Sequence, residues 1–381
     1  MAKKPVFQEV DDLAPAAASP SAPAGNYIST SSGKARGAMR VWLAILFALV
    51  MVMIMVGGLT RLTDSGLSIT EWKPVTGALP PLSAAAWDVE FEKYKAIPEY
   101  QLQNKGMSLA EFKVIYWWEW GHRQLGRVIG LVWLFGFVWL ALRRQIPTGW
   151  TGRILGLGAL GGLQGAVGWW MVSSGLTGTM LDVASYRLAT HLGLAFVILG
   201  LIAHYFIWLG RSDVDLIQAR RLGEPGLLRW TNWLLAAAFV QILLGALVAG
   251  IDAGRTFTDW PLMAGGFLPP EPFALQPWWR NFFEDPGLVQ FSHRMWGYGL
   301  AILAFVVWRK SRRSGNHATR RSFDWAGVLL FGQIVLGIGT VLYVAPVSLA
   351  LMHQTLAVIL WVAIIYARHS ALYPAAQSVR G

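Results

Sequence analysis

Four histidines of this chain lie in segments that are otherwise apolar: His122, His191, His293 and His353. Ionisable side chains in such segments are costly to bury and are usually kept for function. They come two to each half of the chain, within one or two helical turns of the same end of their segments. Neutral imidazoles paired across a four-helix bundle are the axial donors that a porphyrin iron takes, and apolar walls around them exclude water. A lone histidine of this kind is read as an interhelical hydrogen bond. Four at matched depth, in duplicate, point to heme. The chain has no cysteine. Disulfides, thiolate metal sites, iron–sulfur ligation and covalent CxxCH attachment are therefore excluded, and a metal falls to histidine, carboxylate or methionine.

Other polar groups accompany the pairs. Glu119 stands three residues before His122, on the same helical face. A carboxylate there can move protons or bind a substrate group; it can equally be an interfacial acid paired with Arg123 or Arg127. The second half places Gln290 at the matching position, so only the first has the acid. Arg123 and Arg294 directly follow the first histidine of each pair. They suit the anionic propionates of a heme, or the lipid headgroups to which arginine snorkels. Three histidines remain. His204 is unmatched in the other half and reads as packing or a polar interhelical contact. His317 and His369 read as surface residues.

The elements that must position these groups are membrane spans. The composition is 55% hydrophobic and 14% charged, where a soluble protein carries about 25% charge. Eight apolar blocks approach the ~20 residues needed to cross a bilayer: Val41–Leu59, His122–Leu142, Ile154–Val172, Leu188–Leu209, Trp230–Gly250, Phe291–Trp308, Trp325–Val344 and Val347–Ala367. If the N-terminus is cytoplasmic, the inner side holds 20 of the 32 Lys and Arg and 7 of the 21 acidic residues. The net charge of +11 is then the positive-inside signal and not a nucleic-acid footprint. Most of the 21 tryptophans read as interfacial belts.

The halves repeat. SITEWKPVTGALPP from Ser68 parallels TFTDWPLMAGGFLPP from Thr256, and Gln164 and Gln333 take similar places in glycine-rich segments. The expected architecture is an all-α polytopic membrane protein, with eight transmembrane helices forming two pseudo-symmetric four-helix bundles. An axis along the membrane normal would relate the bundles. The expected divisions are a disordered tail at 1–40, a first repeat at 41–209 with a long outer loop at 60–121, an inner linker at 210–229, a second repeat at 230–367 and an inner tail at 368–381. Within the outer loop, 84–112 reads as partly helical and lying on the membrane surface.

Two stretches carry a resemblance: GGLTRLTDSGLSITEWKPVTGALPP from Gly57 and EWGHRQLGRVIG from Glu119. They resemble the heme A synthase family, CtaA/COX15, in its proteobacterial and mitochondrial branch, and the likeness extends from about Val41 to Ala367. The resemblance implies oxidation of the C8 methyl group of heme O, by two successive hydroxylations, to the formyl group of heme A. It matches Glu119, His122 and His191 to the substrate side. It matches His293 and His353 to a b-type heme that passes electrons. It also implies a bacterial inner membrane with both termini cytoplasmic. Membrane lipid and heme O are expected partners, with an electron donor such as quinol or a ferredoxin-like protein. Contacts with heme O synthase or oxidase assembly factors, and self-association, follow from handing on a hydrophobic heme. The other branch of the family carries cysteine pairs in its outer loops, so no thiol chemistry carries over to this chain. Two further readings share some features: a diheme b-type cytochrome for quinol-linked electron transfer, and a parallel-repeat transporter.

Overall fold

The computed structural model describes residues 33–178 and 180–377. Among them it contains twelve α-helices and no named strand. Seven of the helices are long and apolar enough to cross a membrane. They are α1 (Gly33–Leu62), α4 (Leu109–Leu142), α5 (Thr151–Val172), α6 (Ser185–Trp208), α8 (Pro225–Gly250), α11 (His317–Leu342) and α12 (Val347–Leu372). Helix α10 (Pro286–Ser311) equals α8, α11 and α12 in length. Its polar residues, Gln290, His293 and Arg294 among them, dilute its apolar content, and it is not among the seven. Short helices fill the connections: α2 (Ala84–Lys95), α3 (Pro98–Leu102), α7 (Asp213–Arg221) and α9 (Asn281–Glu284).

Local chemistry sets the helix starts. Ser108 and Glu111 form a capping box at α4: the Ser108 hydroxyl accepts from the Glu111 amide at 3.3 Å, and the Glu111 carboxylate accepts from the Ser108 amide at 2.8 Å. At α10 the carboxylate of Asp285 accepts from the Leu288 amide at 2.7 Å, with Pro286 in the first turn. Pro346 caps α12 after the short Tyr343–Ala345 link.

Two rings of four helices result. Helices α1, α4, α5 and α6 contact one another in cyclic order, as do α8, α10, α11 and α12. The rings meet along α1, α6, α8 and α12. Lipid tails give apolar faces no reason to associate, so close approach through small residues must hold such a seam. At Gly200 of α6, a Cβ would lie 2.8 Å from the indole nitrogen of Trp361 on α12. That indole N–H donates to the Phe196 carbonyl at 3.0 Å. At the C-terminal end of α1, Arg61 gathers three carboxylates: Asp64 at 2.9 Å, Asp182 at 3.2 Å and Asp252 at 2.8 Å. Asp252 belongs to the second half, so one guanidinium ties the two rings together.

Several sequence expectations change. Helix α1 begins at Gly33, so the tail expected to end at residue 40 already includes helix; residues 1–32 lie outside the described residues. The inner linker expected at 210–229 holds α7 and the first turn of α8. Helix α4 begins at Leu109, so Glu119 and His122 are interior to it and not at its start. The added turns support a cap. Trp87, Phe91 and Tyr94 pack with Phe112 and Tyr116 in one buried aromatic cluster, so α2 is anchored to α4 by aromatic contacts. His369, expected on the surface, is buried in α12 beside His204, with ring centroids 6.5 Å apart. The cause is that α12 continues to Leu372. His317 is exposed, as expected.

The cap carries its own titrating group. Glu99 is buried; the Tyr94 hydroxyl donates to its Oε1 at 3.2 Å and Asn104 donates to the same oxygen at 3.3 Å. Its other oxygen has no partner. Burial, reinforced by the nearby charges of Asp182, Glu119 and Asp64, pushes its carboxyl up to about 8. The folded cap thus holds a proton that the unfolded chain releases near its ordinary value. That stability is complete below about pH 4.5 and is lost as pH rises through about 8. The thermal midpoint in detergent is expected to fall between about pH 4.5 and 8, and Glu99→Gln is expected to flatten that slope. A slope unchanged in the variant would assign it elsewhere.

Candidate functional site

Each of the four histidines lies on a glycine of a neighbouring helix. A Cβ built at Gly57 of α1 would stand 2.9 Å from Cε1 of His122, and one at Gly168 of α5 would stand 2.9 Å from Cε1 of His191. In the second ring, Gly245 of α8 meets His293 at 3.1 Å and Gly337 of α11 meets His353 at 2.9 Å. Contacts this short admit a larger side chain only if the imidazole shifts, so each glycine cradles one ring. His122 on α4 and His191 on α6 stand in the first ring, and His293 on α10 and His353 on α12 in the second.

Polar neighbours hold the rings. The side-chain amides of Gln164, Gln241 and Gln333 donate to the backbone carbonyls of His191, His293 and His353 at 3.0, 3.1 and 3.0 Å. The same amide nitrogens approach the imidazoles at 3.2, 3.0 and 3.3 Å. At His122 the neighbour is Thr60, whose hydroxyl lies 3.4 Å from Nδ1. That hydroxyl donates its one proton to the Val56 carbonyl at 2.9 Å. Toward the ring it can only accept, so Nδ1 carries the hydrogen and the Nε2 lone pair is free for a metal.

Glu119 is buried on α4, one turn from His122. Its Oε2 accepts from the Ser68 hydroxyl at 2.8 Å and the Ile69 amide at 2.7 Å. Its Oε1 accepts from Arg123 Nε at 3.0 Å and Nη2 at 2.6 Å. Four donors and no acceptor suit an ionised carboxylate. Arg123 also donates to the carbonyls of Ile69 and Glu71 at 2.7 and 2.8 Å. In the second half Arg294 repeats this on the carbonyls of Phe257 and Leu262, each at 3.0 Å, and donates to Gln290 Oε1 at 3.3 Å. Both arginines thus pin the loops that follow α1 and α8 to the histidine helices. A cavity of about 240 Å³ opens beside Arg123, lined also by Glu71, Lys73, Thr76, Tyr116 and Arg127.

The chain matches the COX15-CtaA family, described as cytochrome oxidase assembly protein, over residues 40–365. It belongs to that family. It is 65% identical to a heme A synthase of Dinoroseobacter shibae over 379 residues, covering 100% of this chain and 98% of the relative. It is 59% identical to a heme A synthase of a Ruegeria species over 383 residues, with 100% of both covered. Against one from Paracoccus denitrificans the identity is 58% over 381 residues, covering 100% and 99%.

The residues fit a heme. The donors are imidazoles in pairs, the number an iron needs once a macrocycle supplies the other ligands. The glycine cradles bring neighbouring helices close while leaving each ring partly accessible. Buried polar atoms in the same places lack partners: Oε1 of Gln164, Gln241 and Gln333, and Nδ1 of His353. An imidazole that gave Nε2 to an iron would carry its hydrogen on Nδ1, and a glutamine Oε1 turned toward it would accept that hydrogen. Among the described residues no group of three or more His, Cys, Asp or Glu could hold a metal ion on protein ligands alone.

Sequence reasoning missed Gln241, the four cradling glycines, Thr60 and Ser68. One signal was available: glutamine followed four residues later by glycine at 164/168, 241/245 and 333/337.

Proposed function

We propose that this protein is a heme A synthase, which oxidises the C8 methyl group of heme O to an alcohol and then to a geminal diol, whose loss of water gives the formyl group of heme A. The observation that carries the reading is 65% identity to a heme A synthase along the whole chain. The bound heme iron supplies the oxidising chemistry, which no side chain can provide. In the first ring, His122 and His191 hold the substrate heme, and Glu119 stands one turn away to accept or relay a proton. Arg123 fixes that carboxylate while keeping the loop of Ile69 and Glu71 closed over it. Arg123 and Arg127 border the adjoining cavity and give it the positive charge that propionates need. In the second ring, His293 and His353 hold a heme b that passes electrons, and Arg294 faces that site's outer edge. Gln290 in place of Glu119 supports this division, because an electron-conducting heme needs no proton carrier.

The same reading gives eight spans with α10 as the sixth, a bacterial inner membrane, and both termini cytoplasmic, in keeping with the Lys and Arg excess of the inner loops. Residues 41–209 form the substrate half and 230–367 the electron half. A quinol or a ferredoxin-like protein supplies electrons. Heme O synthase or oxidase assembly factors exchange heme with it, and copies of the chain associate.

The test is expression in a host that makes heme O but lacks heme A synthase, followed by heme extraction and mass-resolved chromatography. Heme A that depends on this gene is the expected result. Heme B alone, with heme O verified in the cells, would leave an electron-conducting cytochrome. No heme in folded protein would leave the transporter.

A further inference from the structure

The walls of the two rings differ where α4 meets α5. Trp133 of α4 packs into α5: its indole donates to the Ile154 carbonyl at 3.3 Å and occupies the space that a Cβ at Gly158 would take. From Trp133 back to Arg123 is about 15 Å along the helix, and over that length α5 is thin. Among the described residues, a Cβ at Gly161 or Gly165 would meet no atom within 4 Å. Counted from Gln164 and Gln333, the second ring has Leu330 and Ile334 in these places, both packed in its core. One segment, residues 69–74, crosses the Arg123 end of this seam. Arg123 holds its carbonyls at Ile69 and Glu71, at 2.7 and 2.8 Å, and Arg127 holds those of Lys73 and Pro74, each at 2.9 Å. On α5 the segment rests through Trp72, which stacks on Trp169 with ring centroids 6.1 Å and planes 11° apart. Trp72 is otherwise 53% exposed. Trp169 directly follows Gly168, the cradle of His191. The matching tryptophan of the second half, Trp260, instead bonds the histidine helix itself: its indole donates to the Tyr298 hydroxyl on α10 at 2.9 Å. Ile338 stands at the place of Trp169.

We propose that the seam between α4 and α5 is the passage by which the lipophilic substrate heme enters the first ring from the surrounding lipid and its product leaves, and that the Trp72–Trp169 stack closes it. The inference deepens the heme A synthase reading and rests on it. A planar macrocycle with a long apolar tail partitions into lipid and not into water, so its way in lies through the side of the ring. Each turnover must admit one such molecule and release another, whereas a heme that only conducts electrons stays in place. The thin wall and the stacked closure fall on the ring that must exchange its occupant. The packed wall, with Leu330 and Ile334, falls on the ring that must keep it. Opening needs the Trp72 side chain to turn off Trp169, while Arg123 and Arg127 keep the backbone of the segment on α4. Passage along the seam then runs between Gly161 and Gly165 on one side and α4 on the other.

The probe is excess apomyoglobin added to the full-length, heme-loaded protein in phosphatidylcholine nanodiscs. Transfer is followed in the Soret band, and the heme that has moved is identified by mass-resolved chromatography. Wild type is expected to give up heme O or heme A and to keep heme b. Trp72→Ala is expected to speed that transfer roughly 2- to 12-fold, the span that one aromatic pair supplies. Trp72→Phe, which keeps a ring on Trp169, is expected to stay near the wild-type rate, and Trp260→Ala to leave both hemes as they were. Gly161→Leu with Gly165→Ile gives the first ring the side chains of the second. It is expected to slow transfer by a factor of the same order, and it carries the test should Trp72→Ala fail to load heme. Transfer unchanged in Trp72→Ala or in the filled seam would overturn the proposal, as would loss of heme b at the same accelerated rate. Absence of heme from the folded wild type would instead overturn the reading on which it rests.

Discussion

Glu119→Gln is expected to leave heme bound and to lower heme A yield by about 100-fold or more, the usual span of a positioned acid–base group. The second ring shows why the variant should fold: Gln290 accepts from Arg294 and donates to the Phe257 carbonyl at 3.0 Å. The first ring shows why it should fail. Both oxygens of Glu119 accept, and the partners at Oε2 are the Ile69 amide and the Ser68 hydroxyl. An amide must turn a donor toward one of these groups or toward Arg123. It also cannot take up a proton. Heme identity and the absorption spectrum should be read together on the purified variant. Accumulated heme O with an unperturbed spectrum is the expected pair of results. Normal heme A would remove Glu119 from the chemistry and leave it as the anchor of Arg123.

His293→Ala is expected to cost more in binding and to separate the two rings. It removes one imidazole of the second pair and leaves the Gln241 amide donating toward an empty cradle above Gly245. Loss of a direct ligand should exceed the 10–100-fold in affinity that loss of a second-layer partner costs. Heme b should then drop out of the purified protein. Heme O should stay in the first ring, whose histidines rest on Gly57 and Gly168. Heme A yield should fall about as far as in Glu119→Gln, because electrons no longer arrive. The matching change, His191→Ala, should reverse the pattern: heme b retained, heme O lost. Loss of both hemes from either variant would mean that the rings do not load independently.

Much of this was legible without a fold. An ionisable residue in an apolar block is conspicuous, so His122, His191, His293 and His353 stood out, and the repeat paired them. Glu119 against Gln290 was visible for the same reason. The all-α class followed from block length, and the aligned outer-loop stretches followed from duplication. What surrounds the histidines was not legible. A glycine in a transmembrane segment ordinarily means close helix packing, and which of the 41 glycines touch an imidazole depends on how each helix is rotated about its axis. Gln164 and Gln333 were noticed as a matched pair, but Gln241 was not. Its partner His293 lies 52 residues further on, where Gln164 and Gln333 stand 27 and 20 residues before theirs, and a glutamine in a span declares no direction.

Boundaries failed where polar turns extend an apolar core. The start of α4 was placed at His122 because hydropathy falls away before it. The capping box at Ser108 and Glu111 starts the helix at Leu109, and the aromatic cap stabilises the added turns. His369 was misplaced by the same error at the other end of the chain.

By itself the sequence determined the donors: which atoms could hold iron, how many, and in which half an acid accompanies them. These are properties of residue type against an apolar background, and they survive any helix rotation. The tertiary structure decided the supports. Four histidines with one chemistry come to rest on four glycines, with Gln164, Gln241 and Gln333 bonded to three of the histidine carbonyls and the Thr60 hydroxyl beside the fourth ring, and which glycine and polar side chain meets which ring is settled only once the helices have packed.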